Sequence, residues 1–280
     1  MKRLLCLLGF WMLTSLALAA PRPLSIGITP VFLDDQATVL TDWQHYLESR
    51  LLRPVRFVQR ASYREVVELV RDNKLDFAWI CGDPYMRNKD RLQLVTVPLY
   101  HGKPLYESYL IVPVQDTHSH SMLDMKGRVF AFSDPDSNSG WLVPQWVLGR
   151  LGQDSGHFFR KTFFTYAHRK VVEAVAANLA EGGEVDGYVW DTLARLHPEI
   201  TSKTRIVTRF GPFGFPPIVA SPSLAAAQVA QMRAVLDGMA NDPQGRALLA
   251  RLNLDGFVPG STSLFDSIGR MLNELDGTGK

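Results

Sequence analysis

The chain has 280 residues, 46% of them hydrophobic and 21% charged, with 30 Lys and Arg set against 28 Asp and Glu. That near balance, without a basic stripe or a charged tail, argues against a nucleic-acid binder and against a disordered chain. The length suffices for two modest lobes or one large domain.

The opening "MKRLLCLLGFWMLTSLALAA" has a basic start, an apolar middle and the A-x-A triplet Ala17-Leu18-Ala19. It reads as a Sec-type signal peptide over 1–19, its apolar run being short for a bilayer span. Cys6 lies inside that run and does not read as a lipidation site. Removing Lys2 and Arg3 leaves 28 basic residues against 28 acidic, so the exported chain is near neutral. It also leaves Cys81 as a lone thiol, which excludes an internal disulfide and a CxxC metal knuckle.

"LSIGITPV" (24–31) predicts a buried strand running into a turn at Thr29-Pro30, and 34–52 carries Val39, Leu40, Trp43, Tyr46, Leu47 and Leu51 at helical spacing. "VRFVQ" is a second strand. Ser62-x-x-Glu65 reads as a capping box opening a helix that stops near Asp72-Asn73, and "LDFAWI" is a third strand. This alternation predicts a parallel sheet with covering helices. The pattern then repeats: strands in "RLQLVTVPLY", "YESYLIVPV" and "RVFAF", a helix "WLVPQWVLGRL", an extended "FFRKTFFTY", a helix "HRKVVEAVAANLA", and strands "VDGYVW" and "RIVTRF". After the Pro- and Gly-rich "GPFGFPPIVAS" the remainder reads as three helices.

Two α/β units with a helical end predict a discontinuous two-lobe architecture. One lobe is expected over 24–110 plus 217–280 and the other over 114–210, with crossovers near 110–114 and 210–217. A ligand in such a fold lies in the cleft, against loops at the carboxyl ends of strands.

Between "RVFAF" and its helix lies "SDPDSNSG". Ser137, Asn138 and Ser139 supply side-chain donors, and the first amides of the following helix have no intrahelical partners, an arrangement that favours an oxyanion. Gly140 removes a Cβ where a ligand would approach. A helix cap with a polar turn accounts for the same residues, and the stretch alone leaves both readings open.

"FSDPDSNSGWLVP" resembles the D-P-x-S-x-S-G-x-x-x-P segment of the phosphonate/phosphite (PhnD-type) periplasmic binding proteins of ABC importers. "IGITP", "SYREVVELVRDNKLDFAWICGDPY", "GKPLYESYLIVP", "YAHRKVVEAVAANLAEGGEVDGYVWDTL" and "FPPIVAS" are similar to further segments of that family, in the same order over roughly 24–220. The resemblance implies a type II-like two-lobe periplasmic binding fold with the ligand in the interlobe cleft. It places Ser137, Asn138 and Ser139 at the oxyanion positions, with Asn138 where a threonine is common. His168 takes the histidine position, Tyr63 and Tyr106 the tyrosine positions, and Asp191 the acidic position after the later strand.

Each of these has a plainer reading: His168 and Asp191 as helix caps, Tyr63 as packing, and Tyr100 or Tyr109 in place of Tyr106. Cys81, beside the cleft turn, departs from the family's apolar or small residue. It reads either as a buried inert thiol or as a contact for a soft ligand such as arsenite. The absence of an acidic cluster apart from Asp191 favours a small oxyanion over an aminoalkylphosphonate.

The resemblance implies a monomeric, non-enzymatic binding protein of the periplasm, without cofactor or metal, that captures a phosphonate, phosphite or phosphate-like anion by hinge closure and hands it to an inner-membrane permease. The alternatives are a ligand sensor that docks on the periplasmic domain of a histidine kinase, and an enzyme pairing Cys81 with His168. No P-loop, HExxH, G-x-S-x-G or dinucleotide fingerprint is present.

Overall fold

A computed structural model describes residues 22–29 and 37–278. The signal peptide expected over 1–19 and Pro30 of the first turn lie outside the described residues.

The first unit begins β1 (Leu24–Ile28), α1 (Ala37–Leu51), β2 (Val55–Gln59), α2 (Tyr63–Arg71), β3 (Phe77–Trp79), α3 (Gly82–Asn88) and β4 (Gln93–Leu99). The chain then builds the second unit: β5 (Leu105–Pro113), β6 (Val129–Phe132), α4 (Val143–Arg150), α5 (Ser155–Phe158), β7 (Lys161–Phe164), α6 (His168–Ala176), β8 (Gly182–Asp186), α7 (Gly187–Leu196), α8 (Pro198–Thr201) and β9 (Thr204–Gly214). It returns to the first with β10 (Ile218–Ala220), α9 (Ala226–Asp237), α10 (Pro243–Leu252) and β11 (Gly256–Val258), and closes with α11 (Asp266–Thr278). The two sheets run β11-β4-β10-β3-β1-β2 and β7-β6-β8-β5-β9.

Local chemistry accounts for the helices that position the site. Ser62 caps α2 by accepting the Glu65 N–H, and Val66, Val67 and Val70 form its buried stripe. Trp43, Tyr46 and Leu47 of α1 pack in the same core as Phe77 and Trp79 of β3. Asp242 caps α10 ahead of Pro243, and Asn253 ends it in the left-handed region at φ 56°. In the second unit Phe130, Phe132 and Phe159 form an aromatic cluster.

Both sheets are mixed, where the sequence predicts parallel ones. β1 pairs in parallel with β2 and β3, and β6 with β7 and β8. The strands entering from the other unit or the C-terminal region run antiparallel: β10 against β3 and β4, β11 against β4, and β5 against β8 and β9. Residues 105–110, grouped with the first unit in the sequence reading, lie in β5. That strand pairs with β9 from Leu105↔Gly214 to Pro113↔Thr204, so the chain leaves the first sheet before Leu105.

The strand expected over 185–190 ends at Asp186. The Asp186 carboxylate accepts the N–H groups of Tyr188 and Val189 and so starts α7 at Gly187. Its upstream half is "GGE", whose glycines mask the strand pattern. A Cβ on Gly182 or Gly183 would meet Met125 Sδ at 2.6 Å or Val171 Cγ1 at 2.5 Å. α3 and β11 have no counterpart in the sequence reading.

Candidate functional site

The "SNSG" segment forms a single wide turn over Asn138–Leu142 that leads straight into α4. Its hydrogen bonds reach back five positions, Leu142 N–H to Ser137 C=O and Val143 N–H to Asn138 C=O. Pro144 follows and has no N–H to continue the series onto Ser139. The Ser139 carbonyl is instead met by the Ser108 hydroxyl of β5 at 3.0 Å.

Ser137 is the cap of this turn. Its Oγ accepts the Gly140 N–H at 3.0 Å and lies 3.4 Å from His168 Nε2. His168 heads α6 and is fully buried, with Nδ1 accepting the Asp186 N–H at 3.1 Å. That bond puts the ring proton of a neutral imidazole on Nε2, facing Ser137. Burial pulls the His168 pKa down to about 3, so the ring is neutral at ordinary pH. With both its lone pairs engaged, Ser137 keeps its own proton to donate. Asn138 Nδ2 donates to Tyr106 Oη at 2.8 Å, which likewise leaves the Tyr106 proton to donate.

The first unit contributes Tyr63 and Cys81. Tyr63 opens α2; its ring meets His168 edge-on at 6.4 Å, and its N–H is held by Asp134 Oδ2 at 3.1 Å. Cys81 Sγ accepts the Asn138 N–H at 3.3 Å. With the Arg64–Asp136 ion pair at 3.3 Å, these contacts draw the first unit onto the loop of the second.

Buried polar atoms almost always find a partner. Here Tyr63 Oη, Ser133 Oγ, Asn138 Oδ1, Ser139 Oγ and Asp186 Oδ2 are buried with no hydrogen-bonding partner in the protein. Most of them supply, or sit beside, donors free to point inward, which suits a small polar ligand carrying several oxygens. No Lys or Arg is buried among the described residues, so these donors are neutral. The described residues contain no group of three or more metal-ligating side chains.

Ser137, Asn138, Ser139, His168, Tyr63, Tyr106 and Cys81 thus lie in one buried cluster. Gly140 belongs to it for a reason other than ligand access: a Cβ there would come 1.8 Å from Ser133 Oγ and 2.7 Å from Ser133 Cβ. Asp191 lies elsewhere, on the second turn of α7, where the Tyr100 and Tyr109 hydroxyls donate to it at 2.6 and 3.0 Å. The acidic residue at the cluster is Asp186. Its Oδ1 caps α7, its Oδ2 is free, its charge bears on Tyr63, Cys81 and Tyr106, and burial raises its pKa to about 7. Sequence reasoning missed it because the extended run was carried through Trp190. Reading Asp186-Gly187 as a strand end followed by a cap would have found it.

Cys81 carries no sign of activation. Burial pushes its thiol up to about 12, and the one lone pair of the neutral His168 ring, on Nδ1, is taken by the Asp186 N–H, so the pair offers neither a thiolate nor a free base.

Residues 26–265 match the model of the family described as "ABC transporter, phosphonate, periplasmic substrate-binding protein". The phosphonates-binding periplasmic protein of Escherichia coli (strain K12) is 24% identical over 248 residues, covering 85% of this chain and 71% of that protein. A binding-protein component of an ABC phosphonate transporter from Pseudomonas aeruginosa superposes with a TM-score of 0.83 at 20% identity, over 90% of this chain and 86% of that one. PhnD1 from Prochlorococcus marinus (MIT 9301), solved with methylphosphonate, superposes with a TM-score of 0.81 at 18% identity, over 90% and 98%. The chain belongs to the family of phosphonate periplasmic substrate-binding proteins of ABC transporters, which bind and hand over a solute and are not enzymes.

Proposed function

We propose that this protein captures a small tetrahedral oxyanion of the phosphonate class in the periplasm and delivers it to an ABC permease. The Ser137, Ser139, Tyr63 and Tyr106 hydroxyls are its donors, and a signal peptide over 1–19 directs its export. The observation that carries the reading is the set of buried, unpartnered polar atoms on Tyr63, Asn138, Ser139 and Asp186. A ligand oxygen accepting from the Tyr63 and Ser139 hydroxyls would remove their desolvation cost, while Asn138 Oδ1 and Asp186 Oδ2 are acceptors that call for a proton on the ligand.

In its ionised form, which prevails above its raised pKa of about 7, Asp186 Oδ2 is the charged acceptor in this ring of donors. It takes a hydrogen bond from a ligand oxygen that carries a proton, which a phosphonate, phosphite or phosphate monoanion possesses and sulfate lacks.

The two sheets mark the two lobes, with the chain crossing at about 100–104 and 215–217. Closure is a hinge motion at those crossovers, and the protein acts as a monomer. Capture of arsenite at Cys81 for a sensor kinase has less support, because the thiol is neutral, already engaged by Asn138 N–H, and without a second thiol beside it among the described residues.

Titration calorimetry with methylphosphonate, phosphite, phosphate and sulfate tests the reading. Binding of one or more of the first three, with sulfate excluded and Ser139→Ala weakened, is the expected result. Equal binding of sulfate removes Asp186 as the discriminating acceptor, and binding of none defeats the proposal.

A further inference from the structure

Behind the oxyanion turn, on the face of the second sheet that carries Tyr106 and Asp186, lies a carboxyl that the binding reading does not use. Glu184 of β8 is fully buried, with Oε1 2.7 Å from Ser108 Oγ and Oε2 without a partner. Ser108 Oγ also lies 3.0 Å from the Ser139 carbonyl. A hydroxyl has one proton to give and a carbonyl oxygen has none. If the Ser108 proton went to an ionised Glu184, the Ser108 and Ser139 oxygens would face each other with lone pairs only. Both contacts are hydrogen bonds in one arrangement: Ser108 donates to Ser139, and a protonated Glu184 donates to Ser108.

We propose that Glu184 is carried as the neutral acid and is a positioning residue for the oxyanion turn, holding the Ser108 hydroxyl on the Ser139 carbonyl that Pro144 leaves without a backbone partner. This deepens the binding reading and rests on it only where affinity is concerned. Burial is consistent with it, since it raises the Glu184 pKa to about 8.

No opposing charge reaches Glu184. The described residues of β6 and of the turn itself include nothing titratable, Glu107 and Tyr109 point to the other face of β5, and the buried titratable groups of α6 and α7 are the neutral His168 and Tyr188. Arg169, Lys170, Glu173, Asp191 and Arg195 of those helices are not buried. Asp186, two residues along β8, shares its face and is itself raised by burial.

Two measurements on Glu184→Gln, Glu184→Ala and Ser108→Ala test this. Gln keeps a donor to Ser108 and cannot ionise, whereas either Ala breaks the chain of donors. Without ligand, a carboxyl raised on folding keeps its full contribution below the ordinary glutamate range and loses it as pH rises toward about 8. The melting temperature of the wild type is therefore expected to fall relative to Glu184→Gln across that window. Asp186 adds the same slope to both and cancels. Parallel melting curves would overturn the proposal.

With methylphosphonate as the probe, Glu184→Gln is expected to bind within about twofold of the wild type near pH 6, and either Ala variant about tenfold more weakly. Gln as weak as Ala, or Ala as tight as the wild type, also overturns it. Should Glu184→Ala fail to fold, Ser108→Ala and Glu184→Gln still decide the question. A wild type that binds neither methylphosphonate nor any other oxyanion defeats the functional reading instead, and the melting comparison then decides Glu184 alone.

Discussion

Ser139 Oγ shows most directly how this cluster differs from an ordinary core. A buried hydroxyl without a partner costs about 1–3 kcal/mol, and a hydrogen bond to a charged partner returns about 1.5–3. Ser139→Ala is therefore expected to leave the melting temperature of the unliganded protein unchanged or slightly higher, while methylphosphonate affinity falls by about 1.5–3 kcal/mol in calorimetry. A loss of stability with no loss of affinity would mark a purely structural hydroxyl.

Asp186 has a pH signature of its own. Its folded pKa of about 7 lies above the ordinary carboxylate range, so its contribution is complete in acid and is lost as pH rises toward 7. Asp186→Asn can still cap α7 through its carbonyl oxygen. It should match the wild type in acid and melt higher at neutral pH and above, as followed by circular dichroism.

The serines, His168 and Tyr63 were legible because they sit in a fixed motif on either side of recognisable strands and helices. Asp186 was not: Asp191 lies five positions on with an equal claim, and only the cap geometry at the strand end separates them.

At the scale of elements, the strands and helices with clear periodicity and caps were readable. β2 spans 55–59, as "VRFVQ" predicts, α2 follows its Ser62 cap, and α10 is one of the helices expected after "GPFGFPPIVAS". The short ones were hidden. α3 has Cys81 as a cap whose side chain makes no capping hydrogen bond, and β11 is a three-residue strand paired with β4. Strand polarity was hidden too, because a strand that returns from a distant part of the chain carries no local mark of its direction.

The wide turn at 138–142 rests on close packing against β6, so Gly140→Ala must push Ser133 aside. A cost of about 1–3 kcal/mol in denaturant unfolding is expected, of the size typical for overpacked sites, together with weakened ligand binding. Unchanged stability would mean that the turn re-forms around the added methyl.

For the whole molecule, the two units meet through polar contacts at both ends of the seam: Trp146–Glu274, Tyr188–Leu252 and Arg195–Asn253 join them through the C-terminal helices, and Asp134 joins them beside the oxyanion turn. Its buried carboxylate accepts the Tyr63 N–H across the cleft and the Asp136 N–H within its own loop, with Arg64–Asp136 beside it. Asp134→Ala takes away the anion that caps α2 from the other unit. The expected outcome is roughly tenfold weaker binding of methylphosphonate and a larger radius of gyration for the unliganded protein in X-ray scattering. An unchanged radius would place the hinge equilibrium outside this contact.

The absence of a buried Lys or Arg among the described residues reaches beyond affinity. Pockets lined with cations draw anions in from a distance, and salt weakens that pull within a Debye length of about 8–10 Å. A cluster of neutral hydroxyls acts only at contact, and a chain near charge balance adds little long-range field. Stopped-flow association with methylphosphonate should hardly change between low and high ionic strength, whereas a steep decline would reveal steering from the surface. Such a protein would collect its anion at the same pace in dilute and in saline surroundings.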